Sequence, residues 1–473
     1  MTMRDIGSRL ELFVDDWLIS RRQGVTLKLH HPEPKEIALS FADVPWEGDV
    51  CFYVTVLKDG GTYRAYYRGK PTTTPDGTDD EVTCYAESQD GIHWTRPSLG
   101  LFEVMGTRAN NVILDGSWAP ITHNFCPFID TRPGVPANER FKAVGGWFDA
   151  LHPETFRHGV GIFGFASPDG IHWRLLSEQP LIPHEVYPFH TDTAQISIFW
   201  VEAEQRYYGY IRTWLPNERR PIWEGAGGNI RWIARITSPD LVHWSSYEML
   251  DFGDAPPEHL YTNQIHPYIR APHIYIGFPF RFLPERRPVP EHPVLGIADG
   301  VFMTSRDGLH FHRWLEAFLR PGRDQNNWTD RNMHMALGVW QTAPDELSCY
   351  WVENYRHPTC RLRRGTLRLD GFVSAHADYA GGELVTHPLL FSGKELVLNY
   401  ATSAAGSVRV EIQDAEGHAI PGYALADCPE MYGDQIEQAV RWAGGSDVSA
   451  LAGQPVRLRF VLKDADVYAL RFR

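Results

Sequence analysis

Three carboxylates stand at corresponding places along the chain: Asp49 in Trp46-Glu47-Gly48-Asp49, Asp192 in His190-Thr191-Asp192-Thr193, and Glu258 in Glu258-His259-Leu260-Tyr261. Each shortly precedes an apolar, strand-like run. Breaking a glycosidic bond requires one carboxyl group to protonate the leaving oxygen and a second to activate water or attack the anomeric carbon. A third commonly orients the substrate and tunes the acid through proximity of like charge. Taken singly, each of these residues has a plainer reading, as a strand-end cap or the partner of a nearby arginine. They matter together only if a scaffold gathers separate strand starts in one place.

A repeat supplies that scaffold. Ser88-Gln-Asp-Gly-Ile-His-Trp94 returns as Ser167-Pro-Asp-Gly-Ile-His-Trp173, as Ser238-Pro-Asp-Leu-Val-His-Trp244 and as Ser305-Arg-Asp-Gly-Leu-His-Phe311. Each copy follows a short apolar strand, and Asp-Gly is a strong hairpin signal. The Ser hydroxyl and Asp carboxylate can bind turn amides, so these Asp residues read as structural. Before each copy lies a pair of strands, over 52–69, 125–147, 196–213 and 266–282. A fifth unit, 334–355 followed by 359–374, lacks its own repeat turn. Five units of this kind predict a five-bladed β-propeller. The run 10–20 is predicted to supply the outer edge of the fifth unit, which leaves Asp15 and Asp16 structural. From about residue 380, alternating runs separated by Gly-rich turns predict an antiparallel β-sandwich. The expected architecture is all-β, with the propeller over 1–378 and an accessory sandwich over 379–473. The best helix candidate is the short run 434–442.

Composition narrows the function classes. Aromatics are 13% and charged residues 22% of 473 residues, with Gly 41 and Pro 34, which excludes a coiled coil, a collagen-like rod or a disordered chain. A net charge of -14 argues against a nucleic-acid backbone or an anionic membrane as partner. The first residues do not read as a secretory signal, and no apolar run is long enough to span a membrane, so a cytoplasmic location is expected. Six scattered cysteines without a CxxC read as buried free thiols.

In a propeller the inner strands line an axis, and ligands bind at one face. If the inner strand begins there, the antiparallel second strand ends there. The first set of positions holds Trp46, Glu47, Asp49, His123, His190, Asp192, Glu258, Tyr261, Arg331 and His334. The second holds Arg68, Trp147, Arg212, Arg281 and Glu353, the last followed by Tyr355 and Arg356. Guanidinium forks pair bidentately with carboxylate, sulfate or phosphate, so Arg68, Arg212, Arg281 and Arg331 point to an anionic sugar such as a uronate, unless each serves a neighbouring acid. The aromatics could stack on sugar rings. No cofactor is called for. His123, His190 and His334 could instead ligate a metal at the axis, although a lone His is more often a hydrogen-bonded loop residue.

With SxDGxHW turns or close variants of them closing four of five units and a sandwich behind them, the chain resembles the glycoside hydrolases of the invertase, inulinase and arabinanase superfamily. That resemblance implies a carbohydrate substrate and removal of a terminal sugar from an oligosaccharide or glycoside, with a furanoside or an anionic sugar as the candidates. It makes Asp49 (or Glu47) the base or nucleophile, Asp192 the stabiliser of the transition state and Glu258 the acid. The fructosidase motifs Asn-Asp-Pro-Asn-Gly, Arg-Asp-Pro and Glu-Cys are missing at those places, so this is a distant or separate family whose sugar is not inherited. Two other readings stand beside it: a glycoside phosphorylase, and a non-catalytic glycan-binding propeller.

Overall fold

The computed structural model describes residues 3–71, 80–119, 121–147, 161–183, 194–215 and 229–473. Those residues form β-strands and short 3-10 turns, so the all-β expectation holds. Among them no helix is long and apolar enough to cross a membrane.

Strand pairing groups the chain into antiparallel sheets. Sheet I runs Phe52–Asp59, Thr62–Gly69, Val82–Ser88, Val112–Leu114, and sheet II runs Cys126–Ile129, Phe141–Trp147, Gly161–Ser167, Arg174–Leu175. Sheet III runs Ser197–Val201, Arg206–Leu215, Ile230–Ser238, Glu248–Met249. Sheet IV is split. Its lower part is His266–Tyr268, Ala271–Gly277, Met303–Ser305, Phe311–Arg313, and its upper part is His259–Leu260, Phe280–Leu283, Ile297–Gly300. Sheet V runs His334–Met335, Glu346–Glu353, Arg361–Arg368, Glu33–Ser40. The inner strands of sheets I to IV neighbour one another in succession. Sheet V then returns to sheet I: Val56 donates to the Leu337 carbonyl at 2.8 Å and Leu337 donates to the Val54 carbonyl at 2.9 Å.

Two expectations are corrected here. The outer edge of sheet V is Glu33–Ser40, not residues 10–20. Edge strands tolerate proline and charge because one side of their backbone faces solvent, and this one carries Pro34, Lys35 and Glu36. The alternating apolar run at 10–20 is instead drawn into the C-terminal sheet. Glu11–Leu12 pairs with Arg457–Phe472, and Ile19–Gln23 with Gly382–Thr386. Thr26–Leu29 pairs with Val373–Ala377. The helix expected over 434–442 is also a strand, Asp434–Ala439, paired to the edge of Leu396–Gln413. An isolated helix of that length is below the nucleation threshold, whereas a neighbouring strand offers ready hydrogen bonds.

Where the N-terminal run meets sheets IV and V, Leu10, Leu12, Val14 and Leu29 pack among Phe278, Phe302, Phe318, Trp351 and Phe372. Phe302 stacks on Phe372 with centroids 5.2 Å apart. All six cysteines are buried free thiols.

The four repeat turns share one bonding pattern. In the first, Ser88 Oγ accepts from the Gly91 amide at 2.9 Å, while Asp90 Oδ1 accepts from the Ile92 and His93 amides at 2.8 Å. Asp90 Oδ2 meets His93 Nδ1 at 2.7 Å. Three copies place Gly at a left-handed position, Gly91 (φ 74°), Gly170 (φ 78°) and Gly308 (φ 73°); the third copy places Leu241 there at φ 68°. The sheet beneath explains the exception. A Cβ on Gly91 would lie 3.0 Å from the Tyr350 hydroxyl, on Gly170 2.5 Å from that of Tyr66, and on Gly308 2.7 Å from that of Tyr210. Sheet II has Val144 in place of the tyrosine, and Leu241 packs with it in one buried cluster. Gly308→Leu is therefore expected to destabilise by about 3 kcal/mol through left-handed strain and overpacking. Leu241→Gly should cost only about 1–2 kcal/mol, because lost burial is partly offset by relieved strain. Urea midpoints of the two variants check this, and equal effects would remove the explanation.

Candidate active site

In each of the sheets I to V a non-glycine residue within two positions of the inner strand's start has positive φ: Tyr53 (53°), Asn124 (55°), Gln195 (58°), Gln264 (44°) and Met333 (62°). Such backbone is uncommon outside glycine and persists where surroundings over-determine it. At this end of the axis the second strands finish, and side chains of different sheets meet.

Arg68 ends the second strand of sheet I. Its Nη2 donates to the Tyr355 hydroxyl at 3.0 Å, and its guanidinium lies 5.1 Å from the Tyr53 ring. Arg331 donates to the Tyr261 hydroxyl at 3.1 Å and lies 5.5 Å from the Tyr355 ring. Arg212 donates to the Tyr261 carbonyl at 2.8 Å, with its guanidinium 4.1 Å from that ring. Arg231 sits 4.6 Å from Tyr261, and Arg356 5.2 Å from Tyr355. Asp330, almost wholly buried, binds Arg331 and Arg356 at 2.9 Å each. His123 meets Glu81 at 2.9 Å, and Glu81 lies 4.0 Å from Arg68. Beneath this belt His334 is fully buried against Phe52, with ring centroids 4.3 Å apart.

Asp49 lies beside the belt. Its carbonyl accepts from the Arg356 amide at 2.8 Å, and its charge is felt at His357, which burial holds below the ordinary histidine range. The Asp49 carboxylate is half-buried and makes no hydrogen bond or ion pair with any described residue.

Other nominated residues are placed elsewhere. Glu47 is fully buried: its carboxylate takes the Tyr67 hydroxyl at 2.7 Å, Arg96 Nε and Nη2 at 2.8 Å each and the Asn111 amide at 3.0 Å. Trp46 donates to Asn111 Oδ1 at 2.7 Å. Glu258 is bound by Arg313 at 2.6 Å and Arg281 at 3.3 Å, and Arg281 also holds Asp299 at 2.6 Å. Burial raises the Asp299 carboxyl above its ordinary range in spite of Arg281. Glu353 accepts from Trp351, Arg361 and Arg363 at 2.7–3.0 Å. The structure thus gathers Asp49, Arg68, His123, Arg212, Tyr261, Arg331 and His334, while the contacts of Glu47, Trp46, Glu258, Arg281 and Glu353 lie outside that group. Asp192 and His190 lie outside the described residues, as does the side chain of Trp147.

Sequence reasoning does not single out Glu81 or Arg231. Glu81 immediately precedes one third strand and Arg231 is the second residue of another, and third strands must start where second strands end; the same antiparallel rule extended by one strand reaches them. Tyr53 lies inside an apolar run and gives no signal. Among the described residues no group of three or more His, Cys, Asp or Glu side chains could hold a metal ion.

No protein-family model matches the chain. An uncharacterized protein of Mycobacterium tuberculosis is 27% identical over 168 residues, 34% of this chain and 48% of that protein, so the match spans about half of the relative's length. The solved structures it resembles include a glycoside hydrolase, 12% identical with a TM-score of 0.48, covering 72% of this chain and 92% of the other. A second comes from work on a mannoside phosphorylase family containing glycoside hydrolases that target β-1,2-mannosidic linkages. It is 13% identical with a TM-score of 0.43, covering 72% and 94%. A third is an α-l-arabinofuranosidase from Fusarium graminearum, 11% identical with a TM-score of 0.39, covering 73% and 98%. At these identities no residue role passes from them to this chain.

Proposed function

We propose that this chain is a glycan-active enzyme that hydrolyses a glycoside with a terminal anionic sugar. In this reading sheets I to V are the blades of a five-bladed propeller, and the C-terminal sheet, with residues 4–29, is an accessory sandwich. One observation carries the reading: the guanidiniums of Arg68, Arg212, Arg231, Arg331 and Arg356, interleaved with Tyr53, Tyr261 and Tyr355, gather beside a carboxylate, Asp49, that no described residue occupies. Guanidinium groups recognise planar anions, tyrosine faces suit sugar rings, and an unoccupied carboxylate is available for chemistry. Asp49 is the proposed base or nucleophile. Asp192 as stabiliser remains an expectation of the family resemblance; Glu258, the acid that resemblance implies, is held by Arg313 and Arg281 away from this group.

A panel of nitrophenyl glycosides and uronides, with and without phosphate, tests the proposal. Release of nitrophenol from a uronide without phosphate is the expected result. Turnover that requires phosphate would favour the phosphorylase reading, in which the same arginines hold the attacking anion. Binding of glycans without turnover by any panel member would favour the non-catalytic reading.

A further inference from the structure

The axis of the ring carries a chain of side-chain amides that ends on His334. Gln195 Nε2 donates to the Val54 carbonyl at 2.8 Å and to Thr55 Oγ1 at 3.0 Å. A main-chain carbonyl only accepts, so this contact fixes which end of the Gln195 amide is nitrogen. Gln195 Oε1 must then face a donor, and it meets Gln264 Nε2 at 2.8 Å. Thr262 Oγ1 donates to Gln264 Oε1 at 2.7 Å, which agrees with that orientation. The remaining proton of Gln264 Nε2 points to His334 Nε2, 3.0 Å away. That ring nitrogen must accept, so it carries no proton, and the proton of a neutral imidazole resides on Nδ1.

His334 Nδ1 is buried and has no hydrogen-bond partner among the described residues. The ring is walled by Phe52, Tyr53 and Phe280, and the charged group facing it is Arg68 of the mouth. Burial, assisted by Arg68, lowers its pKa to about 3. An N–H buried without a partner is costly enough that native structures rarely keep one.

We propose that an amide relay anchored on the Val54 carbonyl locks His334 as the neutral Nδ1–H tautomer, and that this N–H is a hydrogen-bond donor for an oxygen of the bound sugar. The proposal rests on the glycan-active reading for its ligand, not for its tautomer. Gln195 and Gln264 are positioning residues: they touch no ligand and act only by fixing which nitrogen of His334 donates. A donor of this kind keeps its charge and direction through the range where an ordinary histidine, with pKa near 6.5, would titrate.

The test is a ring-¹⁵N spectrum of histidine-labelled, unliganded protein, with His334→Phe identifying the resonances. The expected pattern is a protonated Nδ1 and a bare Nε2, unchanged on either side of an ordinary histidine pKa. An Nε2–H pattern, or titration in that range, would overturn the assignment whatever the enzyme does. Gln264→Glu places a carboxylate opposite Nε2 and is expected to move the proton there; an unchanged pattern would show that the relay does not set the tautomer. On the substrate found in the glycoside panel, His334→Phe should raise KM about tenfold, the loss of one hydrogen bond. An unchanged KM with the tautomer as assigned would remove the donor role alone.

Discussion

Asp49→Asn is expected to lower turnover by roughly two to four orders of magnitude while leaving the unfolding midpoint unchanged. Both halves follow from one fact. The Asp49 carboxylate has no partner among the described residues, so exchanging an oxygen for an amide nitrogen breaks no contact. The same exchange removes the only half-buried, unoccupied carboxylate among the described residues gathered at the mouth, and with it the proposed base or nucleophile. Glu47→Gln, two residues earlier, should behave in the opposite way. Its carboxylate accepts from Tyr67, Arg96 and Asn111 with no exposure to solvent. An amide there leaves the Arg96 guanidinium facing an N–H, and removing one partner of a buried pair typically costs about 3–5 kcal/mol. Urea unfolding and kcat measured side by side on the two variants separate the roles. A stable, inactive Glu47→Gln beside an active Asp49→Asn would reverse the assignment.

Glu11→Gln is expected to be the most destabilising single exchange at the junction of the ring and the C-terminal sheet, and to flatten the acid limb of the stability profile. Glu11 is fully buried. Its carboxylate receives Arg9 Nε at 2.7 Å, Arg306 Nη1 at 2.7 Å and His273 Nε2 at 3.1 Å. Arg306 comes from the fourth repeat turn, also binds Asp15 at 2.8 Å and lies 4.2 Å from the Trp17 ring. Burial alone would raise the Glu11 carboxyl, but the His273 hydrogen bond and the charges of Arg306 and His273 outweigh it and hold the pKa at about 2. A folded pKa below the ordinary 4.5 stabilises the fold above pH 4.5 and loses that contribution as pH falls towards 2. The difference corresponds to roughly 3 kcal/mol. Unfolding midpoints at neutral pH and near pH 3 should therefore fall steeply for the native protein and less for Glu11→Gln. Parallel profiles would show that Glu11 does not carry the acid sensitivity.

The repeat turns and the strands around them were legible because their signals are local. A Ser hydroxyl and an Asp carboxylate satisfy amides two or three residues on, whatever the rest of the chain does. Even Leu241 could be aligned from sequence, although its reason, Val144 in the neighbouring sheet, could not. Alternation reports burial, not which sheet is joined, so it points to residues 10–20 for the outer strand of sheet V where Glu33–Ser40 stands. Glu33–Ser40 is mostly exposed and lacks apolar alternation, whereas 10–20 is apolar because it packs against sheets IV and V and the C-terminal sheet. Site residues were half legible for a similar reason. Strand ends give position to within a residue or two, but Glu47 and Asp49 differ in direction, and direction decides between a buried ion pair and an open carboxylate. Arg281 and Glu258 satisfied the positional rule, yet the split of sheet IV pairs them with Arg313 and Asp299 instead of with the mouth.

The closure between Glu33–Ser40 and Arg361–Arg368, together with the pairing of residues 4–29 against strands between 373 and 472, constrains the order of events on the ribosome. The first forty residues emerge early but have nothing to pair with until more than three hundred others have been made. Sheets I to IV can form as they appear, since their pairings are local, while both open edges wait. Native contacts of such long sequence separation form slowly, and unpaired edges are prone to mispairing in the interval. Chains interrupted before residue 361 would thus hold an unclosed arc with a loose N-terminal strap, a species that chaperones and proteases would meet during every round of translation.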